Sequence, residues 1–556
     1  MGEEGDPTPD LTPPADPSDF AARDAGYVRN AGVMTVGTAL SRVTGFLRLS
    51  AQIAAIGVTG SALADTYTTA NTTPNILYEL ALGGVLTSVF VPLFVDRMQQ
   101  HGRDASWEVA DRILTLTLVV LSAIAVMGMI FAPQIIGLYN SISDAPDKAA
   151  QLALGTYFLR WFMPQIVFYG VGAAAGGLLN ANRRFAAPMF APVLNNLVVI
   201  ATFGVYAWVL HGGSPASVDD ITASQRLVLS AGTTLGVAAM TFALWPSLRS
   251  AGYRWRLRFD WDHPALRRMA RLAVWVVVYV AANQLAYLVI IVLNRRVQGG
   301  ITAYAAAFIV FSLPHAIFAV SIFTALLPAM SAAWSDRRID DVRTLFSRGV
   351  RDTSVIIVPA AFGFIAIALP LTRLLFQHGA SNSRDAALIA DTLRAFAVGL
   401  PFFSVFQLLT RTFYAMQDTR TPALVNIGAA VVNVGADLFF FFVLDLGIPG
   451  LALGHAASYV IGTGVLLLLA RRRIHALDGA RIGMTLAKVL PLSSAAGLAA
   501  WAITYVFPAG ESGVRVLVEV AVAVSAALLV FLGGALIVGL REVEEVKSAM
   551  LSRFRG

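Results

Sequence analysis

The sequence contains no cysteine among its 556 residues, which excludes disulfide bonds, cysteine metal ligands and thiolate chemistry. Lysine is almost as rare, since it occurs only at Lys148, Lys488 and Lys547, and none of the three follows a glycine. The sequence therefore lacks a G-x-x-x-x-G-K-[ST] loop, which cradles nucleotide phosphates, and it also lacks the H-E-x-x-H pattern of zinc peptidases. The chain has no P-loop of its own with which to hydrolyse ATP.

Charge is also scarce, because only 13% of the residues are charged while 57% are hydrophobic, and the mean hydropathy is +0.68. Apolar runs of about 20 residues recur from residue 30 to residue 540, and each is long enough to span a bilayer. The first 27 residues differ, since they are acidic and rich in proline. We expect them to form a disordered tail, and they lack the basic start and apolar core of a signal peptide.

From the apolar runs and their breaks we predict an all-α polytopic membrane protein with 14 transmembrane helices. The helices start near residues 31, 63, 113, 153, 188, 224, 271, 303, 350, 389, 423, 450, 484 and 513. The even-numbered connections hold 22 arginines, whereas the odd-numbered ones hold about three positive residues. Because positive residues concentrate in cytoplasmic loops, we expect the even-numbered loops and both termini in the cytoplasm. The net charge of +7 is spread over these loops, so the expected partner is a membrane and not a nucleic acid.

An internal repeat relates the two parts of the chain. An offset of 234 residues superposes helices four and five on helices ten and eleven, and it aligns Arg160 with Arg394 and Pro188 with Pro422. Six helices per unit is an even number, so the two units have the same orientation in the membrane. We therefore predict two parallel six-helix repeats plus two C-terminal helices, the arrangement of transporters that hold substrate between two bundles and alternate the open side.

These patterns divide the chain into a cytoplasmic tail, a first bundle, a linker, a second bundle, two extra helices and a second cytoplasmic tail. The expected boundaries are 1–27, 28–250, 251–270, 271–473, 474–540 and 541–556.

The first helix carries a polar stripe in its membrane-spanning part. Ser41, Arg48 and Gln52 lie close to one line along the helix, with Arg42 about a third of a turn away. An arginine in hydrocarbon costs from a few to more than about ten kcal/mol unless it finds a partner or water. We interpret Arg42 and Arg48 as ligands for a negatively charged group. The alternative is a small-residue packing face with arginines that extend to the cytoplasmic interface.

The second helix carries a similar stripe that includes Asp65 and Glu79, with Asn75 at its edge and Pro74 inside the helix. Such a stripe cannot face lipid, so it lines protein or a water-filled cavity. We expect it to line a cavity. The alternative is that Asp65 pairs with a neighbouring arginine for folding alone.

The second repeat has fewer polar residues within its helices. Asn283, Gln284 and Ser312 are candidate ligands, although such residues more often form hydrogen bonds between helices. Asn433 and Asp437 are four residues apart and share one helix face. A carboxylate beside an amide oxygen suits Na⁺ or a proton, and a buried structural network is an equal alternative.

Several segments of the sequence resemble the MurJ/MviN family of the multidrug/oligosaccharidyl-lipid/polysaccharide flippase superfamily, in an actinobacterial form. The segments are SRVTGFLR (41–48), the start of helix two with Asp65, LLNANRRFAAPMFAP (178–192), LFQHG (375–379) and TFYAMQDTRTP (412–422). The resemblance implies a non-enzymatic flippase of the bacterial cytoplasmic membrane. Its substrate would be lipid II, the undecaprenyl-pyrophosphate-linked peptidoglycan precursor, and its partners could include cytoplasmic regulators.

The resemblance also implies roles for particular residues. Arg42, Arg48 and Asp65 match positions important for transport, Asn433 and Asp437 match ligands of a Na⁺ site, and the two extra helices form a groove for the lipid tail. Two positions depart from the family: an arginine frequent in helix two falls at Tyr78–Glu79, and a charged pair in helix eight falls at Ile309 and Ser312. A flippase for another lipid-linked glycan, a drug or cation exporter, and a membrane glycosyltransferase are the alternatives.

Overall fold

The computed structural model describes residues 17–544 except 61, 84–90, 144, 210–216, 260–263, 509 and 511–512. All regular elements in this part of the chain are helices. The helices before the linker are α1 Pro17–Ile56, α2 Leu63–Tyr78, α3 Val91–Ile130, α4 Ala132–Tyr139, α5 Lys148–Phe162, α6 Gln165–Ala181, α7 Ala186–Val209, α8 Ala223–Phe242 and α9 Trp245–Ser250. We refer to α1–α9 as the first half.

The linker is followed by nine further helices. They are α10 Pro264–Asn294, α11 Gly300–Pro314, α12 Val320–Ser335, α13 Ile339–Phe376, α14 Ser383–Ala415, α15 Arg420–Leu438, α16 Gly447–Arg473, α17 Gly479–Val506 and α18 Gly513–Ile537. Short π-helical segments, Glu79–Gly83, His315–Ala319 and Phe439–Val443, continue α2, α11 and α15. We refer to α10–α16 as the second half.

The helix starts confirm the sequence analysis closely. α2 and α18 begin at the predicted residues, and most of the other helices begin within a few residues of theirs. Eleven helices of the described part are long and apolar enough to cross a membrane. The helices at the first, second and seventh predicted spans, α1, α2 and α10, are not among these eleven. The protein is therefore an all-α protein that crosses the membrane many times.

Several segments that were expected to be non-helical are partly helical. α1 begins at Pro17, inside the expected tail 1–27, of which residues 1–16 lie outside the described part. α3 begins at Val91 and α13 at Ile339, before their predicted starts near residues 113 and 350, and α10 begins at Pro264 inside the expected linker 251–270. Proline is favourable at the first position of a helix, and Ala, Arg, Met and Gln in these segments are strong helix formers. Polarity alone therefore does not end these helices.

Buried apolar side chains form several clusters that join the helices. A large cluster occupies the second half around Phe311 and Phe396, and the first half has two clusters, one of which surrounds Tyr67. The cluster around Tyr67 also includes Ile291 and Ile301 of the second half. The two halves therefore pack tightly at the end where α1 and α10 terminate.

A carboxylate of the first half binds the start of a helix in the second half at this end. Asp65, near the start of α2, is only 2% exposed. One of its oxygens accepts a hydrogen bond from the Gly299 amide (2.8 Å), and the other accepts bonds from the amide (3.2 Å) and hydroxyl (3.0 Å) of Thr302. The first amides of a helix have no intrahelical acceptor and carry partial positive charge. Asp65 therefore provides hydrogen-bond acceptors for amides at the N-terminus of α11.

A carboxylate of the second half makes the reciprocal contact. Asp385, in the first turn of α14, is fully buried and accepts hydrogen bonds from the amides of Val58 (3.2 Å) and Thr59 (2.9 Å) and from the Thr59 hydroxyl. Nearby, the Ala380 amide donates to the carbonyl of Ala54 at 2.8 Å. The loop that follows α1 is therefore held on the second half by backbone donors.

A buried arginine completes this set of contacts. Arg295, which follows α10, is 6% exposed and donates to the Asn140 amide oxygen at 2.9 Å and to the Gln151 amide oxygen. Gly299 has φ +80°, and a Cβ there would lie 2.9 Å from the Val58 carbonyl oxygen, so the two loops touch where only glycine fits. We call the contacts of Asp65, Asp385 and Arg295 across the two halves the latch.

Replacing Asp385 with alanine should loosen the loop at residues 57–60. The amides of Val58 and Thr59 would lose a charged acceptor, which contributes about 1.5–3 kcal/mol per hydrogen bond. We expect hydrogen–deuterium exchange of a peptide covering this loop to accelerate by about tenfold or more. The control is Asp391→Ala on the same helix, because the exposed Asp391 pairs with Arg394 at 2.6 Å and touches no latch residue. Unchanged exchange at 57–60 in the Asp385 variant would contradict the latch.

Candidate functional site

A central cavity of about 480 Å³ lies between the two halves. Helix α1 provides about half of its wall, α7 provides two prolines and a methionine, and α11 provides the part from the second half. The lining residues are Thr38, Ser41, Arg42, Gly45, Phe46, Arg48, Pro188, Met189, Pro192, Ile309, Ser312 and Leu313. This lining contains two arginines and no carboxylate, so the cavity has a positive wall.

Hydrogen bonds to α7 fix the part of α1 that carries the arginines. The Asn196 amide donates to the Thr44 hydroxyl at 3.0 Å and to the Ser41 carbonyl at 3.3 Å. Asn196 is 6% exposed, so these bonds are shielded from water. Thr44 lies between Arg42 and Arg48 along the helix, and the bonds therefore set the direction in which both arginines project.

The two arginines differ in exposure but share the same wall. Arg42 is exposed and Arg48 is half-buried. Neither forms an ion pair with any residue that the structure describes. A guanidinium offers several N–H donors in a planar fork that matches phosphate or carboxylate oxygens and stays charged at any working pH. The cavity is thus suited to an anion that accepts several hydrogen bonds, as the sequence predicted for Arg42, Arg48 and Ser41.

Gln52 and Asp65 are not among the residues that line the central cavity, and their predicted contact with substrate stays a prediction. The Gln52 amide donates to the Thr68 hydroxyl at 2.9 Å, and the Thr68 and Thr302 hydroxyls are 3.3 Å apart. Thr302 in turn donates to Asp65 in the latch. The two residues therefore belong to a polar chain that connects α1, one turn beyond Arg48, to the latch. Asp65 instead accepts hydrogen bonds from amides at the start of α11, which have no acceptor within that helix.

Four other predicted residues also lie outside the lining of the central cavity. Asn75 is exposed, and Glu79 is half-buried at the start of the π-helical segment after α2. The Asn426 amide donates to the Asn283 amide oxygen at 2.9 Å, which joins α15 to α10, and the neighbouring Gln284 is half-buried. The structure therefore supports the helix-to-helix alternative for Asn283.

Ser312 lines the cavity as predicted, but its hydroxyl donates to the Ile309 carbonyl of its own helix at 2.9 Å. Ile309, the other position that departs from the family, lines the same wall. The second half therefore contributes apolar contact and one occupied hydroxyl. Most of the attraction for an anion comes from α1.

Asn433 and Asp437 are neighbours on α15, as their spacing predicts. The Asn433 amide donates to one oxygen of Asp437 at 3.1 Å, while the other oxygen of this fully buried carboxylate has no hydrogen-bond partner. Gly454 of α16 packs so closely that a Cβ there would lie 1.9 Å from Asp437. A buried unpaired carboxylate oxygen is costly unless a cation or proton satisfies it, so the pair fits an oxygen-liganded cation such as Na⁺. In the described part no three His, Asp or Glu side chains are grouped for a metal.

A lateral groove of about 810 Å³ lies between α13 and the two C-terminal helices. Apolar side chains of α13, α17 and α18 form most of its wall, and Arg348, Asp352 and Glu542 lie at one end. Two small apolar clusters join the same three helices on either side. The groove therefore has a mostly apolar wall with a few charged side chains.

Sequence reasoning missed Asp385, Arg295 and the α7 residues of the cavity. Asp385 forms a capping box with Asn382 at the start of α14, and this pattern predicts only a helix start. Arg295 follows a helix as many surface arginines do. Pro188, Met189 and Pro192 stand within LLNANRRFAAPMFAP, a segment that carried the resemblance, but their apolar side chains gave no chemical signal.

The fold matches solved structures of other membrane transporters. A structure described as lipid II flippase MurJ in an inward closed conformation superposes with a TM-score of 0.71 at 19% identity, and the match covers 89% of this chain and 97% of that one. An inward-facing multidrug resistance MATE family transporter of the MOP superfamily gives a TM-score of 0.63 at 14% identity, over 78% of this chain and 94% of that one. These matches establish the fold.

Curated relatives cover most of the chain. The probable lipid II flippase MurJ of Rhizobium meliloti is 28% identical over 441 residues, which are 78% of this chain and 79% of the relative. The lipid II flippase MurJ of Burkholderia cenocepacia is 29% identical over 449 residues, covering 78% and 82% respectively. The family model for the lipid II flippase MurJ matches residues 54–520, and the chain therefore belongs to the lipid II flippase MurJ family.

Proposed function

We propose that this protein flips lipid II from the inner to the outer leaflet of the bacterial cytoplasmic membrane for cell-wall synthesis, and that it acts as a transporter and not as an enzyme. One observation carries the proposal: Arg42 and Arg48 face a cavity between the two halves whose described lining contains no carboxylate. Membership of the MurJ family and the names of the curated relatives support lipid II as the substrate.

The pyrophosphate of the substrate is the group that suits this wall. It carries about two negative charges and several acceptor oxygens, which match the donors of two guanidinium groups. Arg42 and Arg48 would bind these oxygens in the membrane, where the weak screening strengthens the attraction. Ser312 and Ile309 would contact the same headgroup from the second half without adding charge.

Alternating access follows from the position of the latch. The latch joins the halves at the end of the molecule where α1 and α10 terminate, and the cavity begins about two turns before that end of α1, at Arg48. Transport requires the latch to open and the halves to close on the other side. A bound headgroup shifts this equilibrium only by the difference between its affinities for the two states.

The lateral groove supports a site for the polyprenyl tail. Its wall is almost wholly apolar, and it is formed by α13 with α17 and α18, the two helices outside the predicted repeat. A tail in the groove would stay in an apolar environment while the headgroup occupies the central cavity.

We also propose that the chain has 14 spans, arranged as two parallel six-helix repeats followed by two further helices. Equivalent hydrogen bonds in the two halves support the repeat. The Thr241 hydroxyl of α8 donates to the Phe168 carbonyl of α6, and the Thr463 hydroxyl of α16 donates to the Phe402 carbonyl of α14, both at 2.9 Å. Phe168 and Phe402 are related by the 234-residue offset.

A drug or cation exporter is the second candidate, favoured only by the likeness to MATE transporters. A cationic substrate needs acidic ligands, and the lining of the central cavity has arginines instead. Among lipid-linked glycans, any with a pyrophosphate would suit the same wall.

We propose that both termini lie in the cytoplasm, which the distribution of arginines supports, and cysteine labelling of this cysteine-free chain tests the orientation. Single cysteines at the exposed positions Ser141 and Ser383 should react with a membrane-impermeant maleimide added to intact cells. Cysteines at the exposed positions Ala186 and Asp336 should react only after the membrane is permeabilised. The opposite pattern would show that the orientation is inverted.

Asn433 and Asp437 would hold Na⁺ or a proton, and the bound cation would supply positive charge to the unpaired oxygen of Asp437. If the ion is Na⁺, the purified protein should unfold at a higher temperature in sodium than in potassium chloride, and Asp437→Asn should abolish the difference. Asp391→Asn, which alters an exposed acid on α14, should keep it. A wild-type unfolding temperature that does not respond to sodium would contradict the sodium site.

Replacing Arg48 with alanine should abolish lipid II flipping while expression and membrane insertion stay normal, because the cavity loses half of its described positive charge. Arg48→Lys should restore part of the activity, since lysine keeps the charge and loses the planar fork. Flipping is measured by the amount of lipid II in each leaflet after depletion of the wild-type protein.

Ser312→Ala is the matched cavity control and should have a mild effect, because the Ser312 hydroxyl is already bonded within its helix. Arg384→Ala removes an exposed arginine far from the cavity and should be silent. Normal flipping by the Arg48→Ala variant would contradict the proposed role of this arginine.

A further inference from the structure

A second cavity of about 510 Å³ lies within the first half and shares part of its wall with the central cavity. Pro188 and Pro192, at the start of α7, line both cavities. The second cavity extends from these prolines between α2, α6 and α8. A ligand whose charged group occupies the central cavity can therefore place a neighbouring group in the second one. We call this space the side cavity.

Two kinds of surface form the wall of the side cavity. The rings of Tyr78 and Tyr169 lie with their centroids 6.0 Å apart. Ala173 and Gly176 lie along the same face of α6 as Tyr169 and give that face small residues. A Cβ on Gly176 would lie 3.7 Å from Pro188, an ordinary contact, so close packing does not require glycine there. The glycine instead leaves open space next to the tyrosines.

The side cavity also has an unsatisfied hydrogen-bond acceptor. Asn180 lines it near the end of α6, and its amide oxygen is buried without a hydrogen-bond partner. A buried acceptor without a donor costs about 1–3 kcal/mol, so a ligand that supplies a donor would gain this free energy. The Tyr169 hydroxyl makes only a long contact of 3.4 Å to Gln165 and is also available.

We propose that the side cavity binds the saccharide of the pyrophosphate-linked lipid, an inference that rests on the proposed function. The ionised pyrophosphate of such a substrate only accepts hydrogen bonds, and the polyprenyl tail has no polar groups. The saccharide offers hydroxyl and amide donors for Asn180 together with apolar ring faces for the tyrosines, whereas the peptide of lipid II also has N–H donors but is separated from the phosphate by the sugar. The first sugar is bonded directly to the phosphate, so it lies next to any pyrophosphate held at Arg48.

Some small residues of α6 allow close packing against α8, and others line this subsite. A Cβ on Gly172 would lie 3.0 Å from the Thr241 hydroxyl oxygen, so Gly172 serves the contact with α8. Ala173 is half-buried and faces the side cavity. A larger side chain at Ala173 would fill the cavity and leave the contact with α8 in place.

Binding of two lipids to the purified full-length protein in nanodiscs tests the subsite. The probes are undecaprenyl pyrophosphate, which has no sugar, and lipid II. Asn180→Leu and Ala173→Leu should each weaken the affinity for lipid II about tenfold, the effect of roughly one lost hydrogen bond or ring contact. Both variants should bind undecaprenyl pyrophosphate as the wild type does. The unfolding temperature of Asn180→Leu should not fall, because the substitution removes an unsatisfied acceptor.

Asn182→Leu is the matched control, since Asn182 lies in the same segment and donates to the Leu178 carbonyl at 2.8 Å without lining the side cavity. It should keep the wild-type preference between the two lipids. Wild-type affinity for both lipids in the Asn180 and Ala173 variants, or equal losses for both, would overturn the saccharide subsite. Arg48→Ala separates the two proposals: weaker binding of both lipids supports the pyrophosphate site, and unchanged binding of both would overturn the proposed function itself.

Discussion

The closed end of this protein depends on carboxylates that bind backbone amides of the opposite half. Asp65 and Asp385 are both buried, and each gives its oxygens to two amides and a threonine hydroxyl. Burying a charge is expensive unless hydrogen bonds replace its water, and here the unpaired amides of helix and loop termini do so. Because these bonds join the two halves, they keep this side of the cavity closed. The proposed transport requires that they break so that this side can open.

The polar chain from Gln52 to Asp65 connects this closed end with the arginines. Gln52 follows Arg48 by one turn of α1, and its amide leads through the Thr68 and Thr302 hydroxyls to the latch. A shift of α1 under a bound headgroup would therefore strain hydrogen bonds that end on Asp65. The second half has no charged residue in the described cavity wall, so α1 is the element on which headgroup binding acts.

Much of the fold could be predicted from the sequence because long apolar runs predict membrane helices. The starts of α2 and α18 and the positions of Arg42 and Arg48 in the cavity follow from such runs and from the cost of a charge in hydrocarbon. The partner of Asp65 could not be predicted, since amides occur at every residue but proline and leave no mark in the sequence. The cavity wall from α7 was missed for a related reason, because apolar side chains look the same whether they face lipid, protein or substrate.

The use of amides as donors has a consequence for which substitutions the latch tolerates. The side chain at Val58 can change while the N–H group that binds Asp385 remains, whereas Thr302 contributes its hydroxyl to Asp65 as well as its amide. Proline at either position would remove the amide donor itself, and Gly299 is held by its positive φ as well as by its amide. Natural variation at Val58 should therefore be free in side-chain chemistry but should exclude proline, a pattern that conservation scores based on residue identity would overlook.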